Sequence, residues 1–160
     1  MTAAAFFDFD GTLIDGYSAK AVLADRVKRG AMGASDVARL LTSLVKSAAG
    51  EDVLEEYLRA EVHALKGVPL DELDRLGQRL TRGVLGGWLH PEVLSVLAEH
   101  RRRGDRIVIA TSALPFQVEP LATELGVDDV LCTRLAVSDG ACTGEIDGDI
   151  LWGEGKARAV

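Results

Sequence analysis

Phe6-Phe7-Asp8-Phe9-Asp10-Gly11-Thr12-Leu13-Ile14 decides how the rest of the chain is read. A short apolar run ends on two carboxylates two positions apart, and a glycine follows at once. The spacing predicts a strand over residues 4–9 with Asp8 and Asp10 on one face, since residues i and i+2 of a strand project together. Two acids on one face repel unless a cation lies between them or one takes a proton. Gly11 lets the backbone turn sharply just past them. An acid pair at a strand end opening into a glycine turn points to a divalent-metal or phosphoryl site, not to a core.

The remaining composition narrows the class. The 160 residues suffice for one domain or a core with an insert. A hydrophobic share of 48% supports a buried core rather than a disordered tail. The net charge of −7 argues against a nucleic-acid partner, which needs clustered cations. The basic run Arg101-Arg102-Arg103 before Gly104 reads as a helix end whose cations suit the helix dipole. No apolar stretch approaches a membrane span. Residues 1–5 lack the basic region of a secretory leader. Cys132 and Cys142 form no CxxC pair, so a cytoplasmic protein with reduced thiols is expected.

Apolar spacing becomes helical over residues 17–85. One stripe is Ala21, Val22, Leu23 and Val27, and a second is Val37, Leu40, Leu41, Leu44 and Val45. A third is Val53, Leu54, Tyr57, Leu58, Val62 and Leu65, and a fourth is Leu70, Leu73, Leu76, Leu80 and Leu85. Breaks fall at residues 30–33, 48–50 and 67–69. Four such stripes bury most simply against one another as a small bundle. Beyond Gly86-Gly87, Pro91 opens a helix that Gly104 ends. Residues 106–111 read as a buried parallel strand and 116–125 as a helix capped by Gly126. Residues 129–133 form another strand, and Ser138-Asp139-Gly140 turns a hairpin between 135–137 and 141–143. The last residues begin a further helix. The order gives an α/β fold, a Rossmann-like parallel sheet carrying a helical insert.

Open α/β sheets bind ligands beyond the carboxyl ends of their strands. Asp8 and Asp10 end the first strand, Thr111 and Ser112 the next, and Lys156 lies in the final helix behind Gly153-Glu154-Gly155. A carboxylate nucleophile, a second carboxyl, a hydroxyl and an ammonium at one rim suit phosphoryl transfer. His63, His90 and His100 read as helix-surface or cap residues, and Asp15 as a linker residue.

These segments resemble the haloacid-dehalogenase superfamily. Asp8-Phe9-Asp10-Gly11-Thr12 is similar to its first motif, Ile107-Val108-Ile109-Ala110-Thr111 to its second, and Lys156 in Gly-Glu-Gly-Lys-Ala-Arg-Ala-Val to its third. The insert after the first motif matches the superfamily's C1 cap. With Val118-Glu119-Pro120, the likeness is to the phosphoserine-phosphatase-like branch, subfamily IB. The resemblance implies a core of residues 1–15 and 88–160 and a cap of 16–87. It implies a Mg2+-dependent phosphatase acting on a small phosphorylated metabolite. Asp8 would attack phosphorus and form an aspartyl-phosphate. Asp10 would act as acid and then base. Thr111, or alternatively Ser112, would bond a phosphoryl oxygen, and Lys156 would neutralise charge. Gly11 and Thr12 would offer backbone amides to the phosphate. Asp8 and the Asp10 carbonyl would hold Mg2+ with acids of a fourth motif.

Two departures set further expectations. Tyr17 stands where phosphoserine phosphatases carry a glutamate that meets the substrate amine, so phosphoserine is not the expected substrate. The fourth motif should follow Lys156 by some tens of residues, whereas this sequence ends at Val160. The chain is therefore read as a fragment or shortened form, binding Mg2+ weakly and turning over slowly or not at all. The first strand becomes a hydrophobic edge, open to self-association. Two other functions fit: phosphoryl transfer to an acceptor other than water, or a catalytically inactive interaction module left from a phosphatase–acyltransferase fusion.

Overall fold

A computed structural model describes residues 3–35, 37–39, 42 and 51–160, with side chains of the last segment from residue 54 onward. Three parallel strands, β1 (Ala4–Phe7), β2 (Arg106–Ala110) and β3 (Asp129–Leu131), lie in the order β1-β2-β3. Phe7 pairs with Ile109, and Ile109 with Val130. The central strand is β2, and Ile107, Val108, Ile109 and Ala110 are all buried. Burial on both faces is what a continuous β-branched run predicts.

The helices are α1 (Ser18–Lys28), α2 (Glu51–His63), α3 (Leu70–Gly83), α4 (Pro91–Arg103), α5 (Pro115–Leu125) and α6 (Gly153–Ala159), with a 3-10 turn at Leu85–Trp88. Both α4 and α5 start on proline and end on a left-handed glycine, Gly104 and Gly126. Arg101 in the last turn of α4 donates to the terminal carbonyls Leu125 and Gly126 of α5, so the basic run closes a neighbouring helix. Of the second predicted stripe, Leu40, Leu41, Leu44 and Val45 lie outside the described residues, as does the break at 48–50.

The first strand is shorter than predicted. It ends at Phe7, because the Phe9 carbonyl accepts from the amides of Thr12, Leu13 and Ile14 and starts a turn there. Gly11 sits in that turn at φ +71°. Asp8 and Asp10 therefore leave the sheet, and their carboxylates point to different partners. The last two strands of the chain, β4 (Arg134–Ser138) and β5 (Ala141–Asp147), form an antiparallel hairpin. Asp139 and Gly140 both have positive φ, 53° and 77°, the conformation a two-residue hairpin turn requires.

The fourth stripe does not pack only within a helical bundle. Leu73, Leu76 and Leu80 of α3 share one buried cluster with Phe9, Ile109, Phe116 and Leu121. Gly77 allows this approach, since a Cβ there would lie 2.2 Å from the Phe116 carbonyl oxygen. The Cys142 amide donates to the Val68 carbonyl, the Gly67 amide to the Cys142 carbonyl and the Leu70 amide to the Gly140 carbonyl, so residues 67–70 run along the hairpin as a third ribbon. The two chain crossings between sheet and insert also run together. Asp15 donates to the Trp88 carbonyl at 2.7 Å and His90 to the Leu13 carbonyl at 3.1 Å.

Candidate active site

The turn after β1 places Asp8 at the carboxyl rim of the sheet. Its Oδ1 accepts from the Phe9 amide at 2.9 Å and lies 2.9 Å from the Lys156 ammonium. Neither side chain is fully buried (38% and 26% exposed), so the pair is open to a ligand from the solvent side. Lys156 is delivered by local geometry at the end of the chain. The Leu151 amide donates to the buried Thr133 hydroxyl at 3.2 Å, fixing the approach to α6. Gly155 then sits so close to Ile150 that a Cβ would meet its carbonyl oxygen at 2.3 Å.

Asp10 turns toward the insert. Its carboxylate accepts from the Ser18 amide at 2.6 Å and the Ser18 hydroxyl at 3.1 Å, and so caps α1 from outside the helix. Burial pushes its carboxyl up to about 6; the Ser18 bonds oppose this, and the Asp8 charge adds to it. Such a carboxyl holds a proton closer to neutrality than an ordinary aspartate, as a general acid needs.

Thr111 follows β2 and is buried. Its Oγ1 accepts from the Ala113 amide at 3.1 Å, which leaves the hydroxyl hydrogen to donate. Ser112 is half-buried beside it. The Gly11 and Thr12 amides differ from the expectation. Gly11 donates to the Gly16 carbonyl at 2.9 Å and Thr12 to the Phe9 carbonyl at 3.3 Å, so both amides close the turn instead of facing a phosphate. Tyr17 is exposed, with the Lys20 ammonium 5.1 Å from its ring. His100 bonds Asp105 at 2.9 Å, and His90 immediately precedes α4. Among the described residues, no three His, Cys, Asp or Glu side chains are grouped to hold a metal. Asp8 and the Asp10 carbonyl are nonetheless hard oxygen donors of the kind Mg2+ takes. A cleft of about 370 Å³ lies between α2 and the start of α6, lined by Arg59, Trp152, Gly155 and Arg158 among others.

Sequence reasoning missed Glu61. It lies on the buried face of α2, and burial, then the Asp10 charge, pushes its carboxyl up to about 7 against hydrogen bonds from Tyr57 and Gln117 and the Arg26 cation. The signal was present, since an acid at 61 sits four residues after Tyr57 and four before Leu65 in the third apolar stripe. An acid whose folded-state pKa is raised stabilises the fold below its ordinary pKa of 4.5, and that contribution is lost as pH rises through about 7. The loss is on the order of 3 kcal/mol at pH 8. Glu61→Gln cannot ionise. Its melting temperature should match wild type at pH 5 and exceed it by several degrees at pH 8. Equal melting temperatures at both pH values would contradict this.

The profile of haloacid dehalogenase-like hydrolases matches residues 5–160. The chain belongs to this family. It is 30% identical over 154 residues to phosphoserine phosphatase SerB2 of Mycobacterium tuberculosis, covering 96% of this chain and 34% of that protein. A solved structure of a protein of unknown function from Bordetella pertussis Tohama I superposes with a TM-score of 0.81 at 25% identity, covering 99% of this chain and 72% of that one. A phospho-aspartyl intermediate analogue of phosphoserine phosphatase shares the fold, with a TM-score of 0.67 at 21% identity over 99% of this chain and 68% of that one. The first curated relatives are spanned over 34%, 40% and 66% of their own lengths. The α/β fold with a parallel sheet is thus the family's own. Among the described residues, no helix is long and apolar enough to cross a membrane.

Proposed function

We propose that this chain carries the phosphoryl-accepting site of a phosphomonoesterase acting on a small phosphorylated metabolite. The observation that carries the reading is the Asp8–Lys156 pair at 2.9 Å, a nucleophilic carboxylate and a charge-neutralising ammonium at the rim of a parallel sheet. Asp8 attacks phosphorus as the ester P–O bond breaks, and the leaving oxygen takes its proton from Asp10. Water then attacks the aspartyl-phosphate, Asp10 receives the water's proton, and phosphate departs. Thr111 donates to a phosphoryl oxygen from the end of β2, with Ser112 beside it, while Gly11 and Thr12 set the turn that aims Asp8. Mg2+ held by Asp8 and the Asp10 carbonyl supplies positive charge to the phosphoryl oxygens when bound. Residues 16–87 act as the cap over this rim, and its exposed Tyr17 leaves phosphoserine disfavoured as substrate.

Release of phosphate from p-nitrophenyl phosphate, with Mg2+ and with EDTA, tests the reading together with Asp8→Asn. No release under either condition would favour a catalytically inactive interaction module. Capture of phosphate by added alcohols would favour transfer to an acceptor other than water. The two cysteines are buried, with the Cys132 thiol pushed up to about 11, and so suit a reducing cytoplasm, which cell fractionation would check.

The same reading includes self-association. Among the described residues, β1 pairs with β2 alone, and Phe6 is 43% exposed. An open apolar edge invites a second copy. Sedimentation should show dimers that Phe6→Lys dissolves; a concentration-independent monomer in wild type would refute it.

A further inference from the structure

A glutamate is a costly choice at a position only 5% exposed, because a buried carboxylate loses its hydration. Glu61 Oε1 accepts from Gln117 Nε2 at 2.8 Å, while Oε2 has no hydrogen-bond partner among the described residues. Gln117 is itself buried at the first turn of α5, and its Oε1 accepts from the Leu114 amide at 2.6 Å. One residue earlier, the Ala113 amide donates to the Thr111 hydroxyl. A continuous chain of bonds thus joins helix α2 to the turn that presents Thr111.

The orientation of the Gln117 amide is the critical link. A glutamine amide can flip, exchanging its acceptor oxygen and its donor nitrogen. Flipped, Gln117 would set its NH2 against the Leu114 N–H, donor against donor. Glu61 Oε1 is the acceptor in this bond, so Glu61 draws the Gln117 nitrogen toward α2 and leaves the oxygen for Leu114. Glu61 is faced by Gln117 on α5, Tyr57 on its own helix, Arg26 on α1 and Asp10 in the site turn.

We infer that Glu61 is a positioning residue for the turn at residues 111–114, acting through the Gln117 amide without touching substrate. Calling that turn's ligand a phosphoryl group rests on the function proposed above; the positioning itself does not. The test is amide hydrogen exchange by NMR on the whole chain. In Glu61→Leu, the Leu114 amide should exchange at least ~10-fold faster than in wild type, with Ile109 of β2 unchanged. Glu61→Gln, which can still offer Gln117 an acceptor, should bring Leu114 back to within about twofold of wild type. Unchanged Leu114 exchange in Glu61→Leu, or a Gln variant as fast as the Leu variant, would overturn the inference. Should Glu61→Leu not fold, Gln117→Met decides. Its Leu114 amide, left without the Gln117 acceptor, should exchange at least ~10-fold faster than in wild type with Ile109 unchanged, and exchange at the wild-type rate would overturn the inference. Affinity for inorganic phosphate with Mg2+ provides the separate arm, expected to fall about tenfold in Glu61→Leu. A wild type that binds no phosphate but shows the exchange pattern refutes the phosphatase reading and leaves the positioning role standing.

Discussion

Asp8→Asn should abolish the slow Mg2+-dependent hydrolysis of p-nitrophenyl phosphate expected of this chain, leaving the rate of uncatalysed background. The substitution replaces the attacking oxygen with an amide, which is a poor nucleophile and carries no charge for Lys156 to balance. It leaves the fold in place, because Asp8 lies after β1 and is 38% exposed, with an ion pair as its main partner. The melting temperature should therefore move by no more than a few degrees, as partly exposed ion pairs contribute little. A variant that retains a tenth of wild-type turnover would show that another group attacks phosphorus.

The second large effect is on stability. Gly77→Ala should lower stability by about 3 kcal/mol, and so lower the melting temperature by roughly 6–12 °C. The added Cβ would stand 2.2 Å from the Phe116 carbonyl oxygen and 3.0 Å from Pro120 Cγ. The first of these is backbone, fixed within α5, and cannot turn aside. Helix propensity favours alanine over glycine by only about 1 kcal/mol, too little to offset the clash. Gly83, in the same helix, is the control. A Cβ there meets nothing within 4 Å, so Gly83→Ala should be neutral or stabilising by up to about 1 kcal/mol. Equal effects at the two positions would mean that α3 does not press on α5 as described.

Local physics made much of this fold legible. The buried run of β2, the proline starts and glycine ends of α4 and α5, and the hairpin turn at residues 138–140 each have one cheap conformation, and the chain adopts it. The strand carrying the acids was read too long, because alternation continues through Phe9 while hydrogen bonding to its carbonyl already closes a turn. The packing of α3 on α5 was not legible either, since an apolar stripe states that a face is buried but not against what. Gly77 was the available sign, a glycine among helix-stripe leucines. In the site, the types of Asp8, Asp10, Thr111 and Lys156 suggested the chemistry, but the meeting of Asp8 with Lys156 depends on tertiary folding and entered the reading through family likeness. The Ser18 cap on Asp10 and the Glu61–Gln117 bond were missed. Both depend on contacts between segments far apart or out of register, which periodicity does not report.

The central claim is that Asp8 accepts a phosphoryl group, and beryllofluoride tests it most directly. This reagent binds a competent aspartate as a mimic of the aspartyl-phosphate and needs no turnover. With Mg2+ present, fluorine NMR of the chain should show one bound beryllofluoride per molecule, lost in Asp8→Asn and weakened in Lys156→Ala. A bound signal that survives Asp8→Asn, or no bound signal in wild type at saturating reagent, would contradict the account.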